Sequence, residues 1–89
     1  MRILFAEDDK RLSKMIDFLL KKENYIVDCV YNGQDAIDYA NLSDYDIIIL
    51  DWMMPLKSGI EVCRYLANKD FDKALAIYDE AIEINPNFA

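Results

Sequence analysis

At 89 residues the chain makes one domain at most, and a chain of this size buries only about 60–65% of the surface that its unfolded form exposes. Apolar side chains make up 54% of it, enough to fill a core and to exclude a disordered chain. The net charge is −7, from 17 acidic and 10 basic side chains with no basic cluster, which argues against nucleic acid and against anionic membrane surfaces as partners.

Acidic groups gathered in one place would instead suit a hard cation. Cys29 and Cys63 are too few for a disulfide framework, and the lack of histidine leaves no zinc set, no usual general base and no Cys–His pair. An enzyme is not expected on these grounds. Both thiols lie in apolar runs and read as free cysteines of a reducing cytosol. No run reaches the ~20 apolar residues of a membrane span. The opening Met1–Ala6 runs straight into Glu7-Asp8-Asp9, as no secretory signal does. A cytoplasmic protein is expected.

Residues Arg2 to Ala6 form a short apolar run ending in carboxylates, the profile of a strand covered on both faces. Leu12, Met15, Ile16, Leu19 and Leu20 then recur at helical spacing, with Asp8 or Asp9 placed to cap the helix. Tyr25 to Val30 reads as a second strand, and Asn32-Gly33 breaks it. Ala36, Ile37 and Ala40 mark a second helix. Tyr45 to Leu50, with Ile47-Ile48-Ile49-Leu50, is a buried parallel strand stopped by Asp51. The loop Asp51–Gly59 leads to a third helix carrying Ile60, Val62, Cys63, Leu66 and Ala67. Strand alternating with helix predicts a parallel sheet with right-handed crossovers.

Glu7 and Asp8 follow the first strand, and Asp51 closes the third. Ligands of open parallel sheets sit beyond the carboxyl ends of the strands where the winding reverses. With the first strand between the other two, three carboxylates meet there, an arrangement that repels itself unless a cation joins it. Mg²⁺ fits such an oxygen-donor set, and a carboxylate beside it could attack phosphorus in line. Taken singly, an acidic run after a strand is an ordinary helix cap, and one aspartate at a strand end is an ordinary turn former. Their joint placement makes coincidence a poor explanation.

Three segments carry a family resemblance: Arg2-Ile3-Leu4-Phe5-Ala6-Glu7-Asp8-Asp9, Asn32-Gly33-Gln34-Asp35-Ala36, and Tyr45 to Pro55. Residues 1 to about 67 resemble the receiver domain of two-component response regulators. The resemblance implies Asp51 as phosphoacceptor, with Mg²⁺ ligated by Asp8 and Asp51, by Glu7 through water, and by the backbone carbonyl of Met53. It also implies a histidine kinase as partner. Ser58-Gly59 stands where the family more often has Asp-Gly, a minor departure because serine can cap the third helix. The family continues with two more strand–helix units bearing a hydroxyl residue, a lysine and an aromatic switch, and none of these is expected here.

From Asn68 onward the pattern reads differently. Phe71, Ala74, Leu75, Tyr78, Ala81 and Ile82 give a helical stripe that ends at Asn85-Pro86. This stretch resembles the second helix of a tetratricopeptide repeat, with small residues for close approach and aromatics between helices. The expected fold is therefore α/β: a truncated flavodoxin-like, receiver-like three-stranded parallel sheet of order 2-1-3 over residues 1–67. A repeat-derived helix over residues 68–89 would pack on it as part of one folding unit. Phe71, Leu75, Tyr78 and Ile82 are its expected hairpin contacts.

The corresponding functional reading is an engineered or selected chimera without an evolved activity, which keeps remnant phosphoacceptor and Mg²⁺ carboxylates and binds Mg²⁺ weakly or not at all. The alternatives are a truncated phosphoacceptor receiver in two-component signalling and a natural protein-interaction adaptor. A bare third strand at the sheet edge predicts a homodimer.

Overall fold

The structure is a computed structural model and describes residues 1–69 and 71–79. Four strands, β1 (Arg2–Ala6), β2 (Ile26–Val30), β3 (Ile47–Asp51) and β4 (Ala74–Tyr78), alternate with helices α1 (Lys10–Lys22), α2 (Gly33–Leu42) and α3 (Gly59–Asn68). All pairings are parallel, and the strand order is β2-β1-β3-β4.

Each helix begins at a side-chain cap. Asp9 accepts from the amides of Arg11 and Leu12, Asn32 from that of Asp35, and Ser58 from that of Glu61. Asn24, just past α1, takes a left-handed φ of 67°, which asparagine tolerates better than most residues.

Period-2 alternation divides the sheet between two cores. Leu4, Ala6, Ile48 and Leu50 pack with Ala36 and Ile37 of α2 and Val62 and Leu66 of α3. Ile3, Phe5 and Val27 lie on the opposite face with Ile16 and Leu20 of α1. That second face is covered less fully: Met15, Phe18 and Leu19 of α1 remain exposed, although Met15 and Leu19 belong to its expected buried stripe.

The principal correction to the sequence reading is β4. Ala74–Tyr78 pairs with β3 from Ile47↔Ala74 to Asp51↔Tyr78, so the sheet has four strands and β3 is interior. The expected three-stranded sheet with a repeat-derived helix is wrong. The stretch reads at both periods, because Leu75 and Ile77 alternate with Ala74, Ala76 and Tyr78 just as Phe71, Ala74, Leu75 and Tyr78 share a helical face. The edge of β3 decides between them. Its unpaired backbone groups and its Ile47–Leu50 side chains reward a fourth strand with a full ladder, a gain that outweighs the modest helix preference of alanine.

Phe71 and Leu75 are half-buried against the α2/α3 core, and Tyr78 reaches the α1 side. They are sheet and loop contacts, not helical-hairpin contacts. Ile82 lies outside the described residues.

Candidate functional site

Parallel register sets the ends of β1 and β3 side by side, with Ala6 opposite Leu50. Glu7 and Asp8 therefore leave β1 where Asp51 closes β3. One ligand oxygen from each of the three carboxylates lies within 4.8 Å of the others. Glu7 and Asp51 are buried, at 0% and 1% exposure, and Asp8 faces outward. The expected convergence of these three residues is thus found.

The two buried carboxylates differ in their partners. The Glu7 Oε2 accepts from the Asp9 amide at 2.9 Å, and its Oε1 accepts from the Tyr78 hydroxyl. Both carboxylate oxygens of Asp51 are buried and make no hydrogen bond of good geometry among the described residues, although the Met53 amide and the Glu7 carboxylate lie close enough to act on them. Burial, and after it the negative charge of Glu7, pushes the Asp51 carboxyl up to about 6. Two buried carboxylates set side by side are costly in an ordinary fold and read as a place left for a cation. The donor set is all oxygen, which suits a hard divalent cation of the magnesium type.

The loop after β3 is held tightly. The Gly59 amide donates to the Trp52 carbonyl at 2.8 Å, and the Gly33 amide donates to Pro55 at 3.2 Å. A Cβ on Gly59 would lie 2.3 Å from the Asp51 carbonyl oxygen, and one on Gly33 would lie 2.0 Å from that of Lys57. Glycine is needed at both for close approach of backbone, since neither has a positive φ. Leu56 carries the loop's strain, with φ at 70°. Met53 lies in this loop with its side chain exposed.

Tyr78 is the site residue that sequence reasoning misplaced. It closes β4 directly opposite Asp51, and its ring stacks on Phe5 at 5.8 Å between centroids. Its backbone carbonyl accepts from the Trp52 amide at 2.7 Å. Only the β3–β4 register brings its hydroxyl to Glu7. No short-range pattern signals that pairing.

Comparison with known proteins agrees with this geometry. Residues 3–78 match the response regulator receiver domain family, a span that includes β4 and crosses the expected junction near residue 67. That match overturns the reading of the chain as a receiver fragment joined to a repeat helix, and with it the chimera without evolved activity. The receiver domain of a Francisella response regulator superposes with a TM-score of 0.86 at 25% identity, covering 93% of this chain and 69% of that one. The response regulator TrrA of Thermotoga maritima, crystallised in complex with Mg²⁺–BeF, gives a TM-score of 0.79 at 32% identity over 83% of this chain and 64% of that one. A chain of the complex between the histidine kinase ThkA and TrrA gives 0.84 at 28% identity, covering 98% and 75%. The chain thus spans roughly two thirds to three quarters of the length of these relatives.

Proposed function

Since the chain belongs to the response regulator receiver domain family, we propose that it is a phosphoacceptor of two-component signalling that takes a phosphoryl group onto Asp51. The observation that carries the reading is the buried Asp51 carboxylate meeting Glu7 and Asp8 at the ends of β1 and β3. In the transfer an Asp51 oxygen forms a bond to phosphorus while the donor's bond to phosphorus breaks, and the leaving group keeps that electron pair and takes up a proton. Glu7, Asp8, Asp51 and the Met53 carbonyl would hold Mg²⁺, which when bound neutralises charge on the transferred oxygens. TrrA with Mg²⁺–BeF supports this ligand pair.

This chain's residues supply placement. Gly59 lets α3 start against the Asp51 backbone, so the acceptor is fixed in position. Burial keeps water from competing for its oxygens, and the exposed Asp8 marks the side from which ligands enter. The chain accepts one group stoichiometrically, so it acts as a substrate of phosphotransfer and not as an enzyme.

A histidine kinase is the proposed donor, supported by the ThkA–TrrA complex. Exposed Met15, Phe18 and Leu19 on α1 offer such a partner an apolar face. A cytoplasmic setting accords with the free Cys29 and Cys63. No helix among the described residues is long and apolar enough to cross a membrane.

The proposed homodimer moves from β3 to β4, which is an edge of the sheet among the described residues. Antiparallel pairing of β4 with its copy about Ala76 would set Lys73 against the partner's Asp79 and Leu75 against the partner's Ile77.

The test is ligand binding read by Trp52, the single tryptophan, which adjoins Asp51. With Mg²⁺ already present at saturation, added beryllofluoride should change its fluorescence saturably in the parent chain and leave the Asp51→Asn variant unchanged. An equal response in both proteins would reject Asp51 as the acceptor.

A further inference from the structure

The Tyr78 hydroxyl occupies Glu7 Oε1 from β4, while the Asp9 amide occupies Oε2. Both oxygens of one carboxylate in the cation set are thus already engaged by protein donors. The neighbouring Asp51, equally buried, has no comparable pair of well-formed hydrogen bonds, only the weaker approach of the Met53 amide and of Glu7 itself. The asymmetry is built by the fold: the ring of Tyr78 lies nearly parallel to that of Phe5, at 15° between planes, and the strand pairing places it opposite Asp51.

A hydroxyl that donates to a carboxylate withdraws electron density and holds the group in one orientation. A cation drawing on Glu7, directly or through a bound water, must share or displace that hydrogen bond. We propose that Tyr78 is a latch on the cation site, holding Glu7 in the metal-free protein and yielding when a divalent cation binds. Tyr78 is then a positioning residue acting through Glu7. Its release moves the phenol at the end of β4, so cation occupancy is transmitted to that edge strand. The inference rests on the reading of Glu7, Asp8 and Asp51 as a cation site, and it adds what the site must break in order to fill.

The experiment compares the parent chain with Tyr78→Phe and, separately, with Asp8→Asn. Tyr78→Phe keeps the ring that stacks on Phe5 and removes the hydroxyl. Mn²⁺ and Mg²⁺ are titrated against Trp52 fluorescence, and thermal unfolding is followed in chelator and in saturating cation. The latch predicts that Tyr78→Phe binds cation about ten-fold more tightly, the scale of one hydrogen bond to a charged group. It also predicts a lower melting temperature in chelator and a larger rise on adding cation than in the parent. Unchanged or weaker affinity in Tyr78→Phe, with melting lowered equally in both buffers, overturns the latch and leaves a structural hydrogen bond. Should Tyr78→Phe be too unstable to titrate, movement of the Tyr78 ring resonances on adding Mg²⁺ to the parent chain decides: a shift sustains the latch, and none overturns it. The site is judged apart from the latch. Binding that is indifferent to Asp8→Asn, or no binding in the parent chain, overturns the cation-site reading and the latch with it.

Discussion

At the scale of single residues, the protein places charge where it costs stability at one end of the sheet and where it adds stability at the other. Asp51, buried and facing Glu7, lowers metal-free stability when ionised, because its carboxyl is raised to about 6 in the fold. Asp51→Asn should therefore stabilise the protein in chelator at pH 8 by about 1–3 kcal/mol. The sign follows from linkage: below pH 6 the native carboxyl holds a proton that the unfolded chain has already lost, so the advantage of the variant should shrink as the pH falls through that value. Urea unfolding of both proteins at pH 5 and pH 8 checks this, and a variant that is less stable at pH 8 contradicts it.

Asp28 behaves oppositely. The hydroxyl of the buried Tyr45 donates to it at 2.6 Å and Arg2 donates at 3.1 Å, and with the Tyr45 bond foremost these partners hold its carboxyl below the usual range. Its contribution is fully present above the unfolded value of about 4 and is lost as the pH falls through its lower folded value. Tyr45→Phe should cost about 1–2 kcal/mol at neutral pH and flatten the acid limb of stability, as acid titrations of thermal unfolding would reveal. An unaltered acid limb would mean that Arg2 alone holds Asp28.

At the scale of elements, the two glycines and β4 decide whether the site exists. Gly59→Ala drives a Cβ into the Asp51 carbonyl, so the start of α3 must retreat from the acceptor. A loss of about 1–3 kcal/mol is expected, together with weaker cation binding, and an alanine variant as stable as the parent would show that the loop yields easily. The strand β4 has its own test. Ala76 is exposed and pairs with Ile49, so Ala76→Val should add up to about 1 kcal/mol in a strand. The same change would destabilise a helix by several tenths of a kcal/mol, so the sign of the measured effect distinguishes the two structures.

These elements also mark where sequence reasoning holds and where it stops. Ile47–Leu50 is legible because a short β-branched run stopped by Asp51 suits a strand covered on both faces, and the α3 stripe because its spacing is helical. Glu7, Asp8 and Asp51 are legible because they terminate those unambiguous strands. Residues 74–78 fit both a helical and a strand period, and what selects the strand is the edge of β3, which belongs to another part of the chain. The role of Tyr78 was hidden for the same reason, since its partner Glu7 is distant in sequence and near only through that register. The stripe on α1 erred differently. Its spacing is helical as read, yet Met15 and Leu19 stay about half exposed, at 55% and 50%.

At the scale of the whole molecule, the receiver architecture joins the acidic site to an edge strand through one tyrosine. The same edge carries the proposed self-association. Sedimentation at micromolar concentration should show a dimer, and Ala76→Lys, which sets like charges against each other across the two-fold axis, should return it to monomer. A parent chain that sediments as a monomer would remove β4 as an interface and leave the site untouched. Covalent transfer tests most directly whether Asp51 is the proposed phosphoryl acceptor. The chain is incubated with Mg²⁺ and acetyl phosphate or phosphoramidate, and its intact mass is recorded with borohydride trapping of the acyl phosphate. The expected result is a gain of one phosphoryl group, which borohydride removes by reducing Asp51 to homoserine, with neither change in Asp51→Asn. No gain from either donor, or a gain that persists in Asp51→Asn, would contradict it.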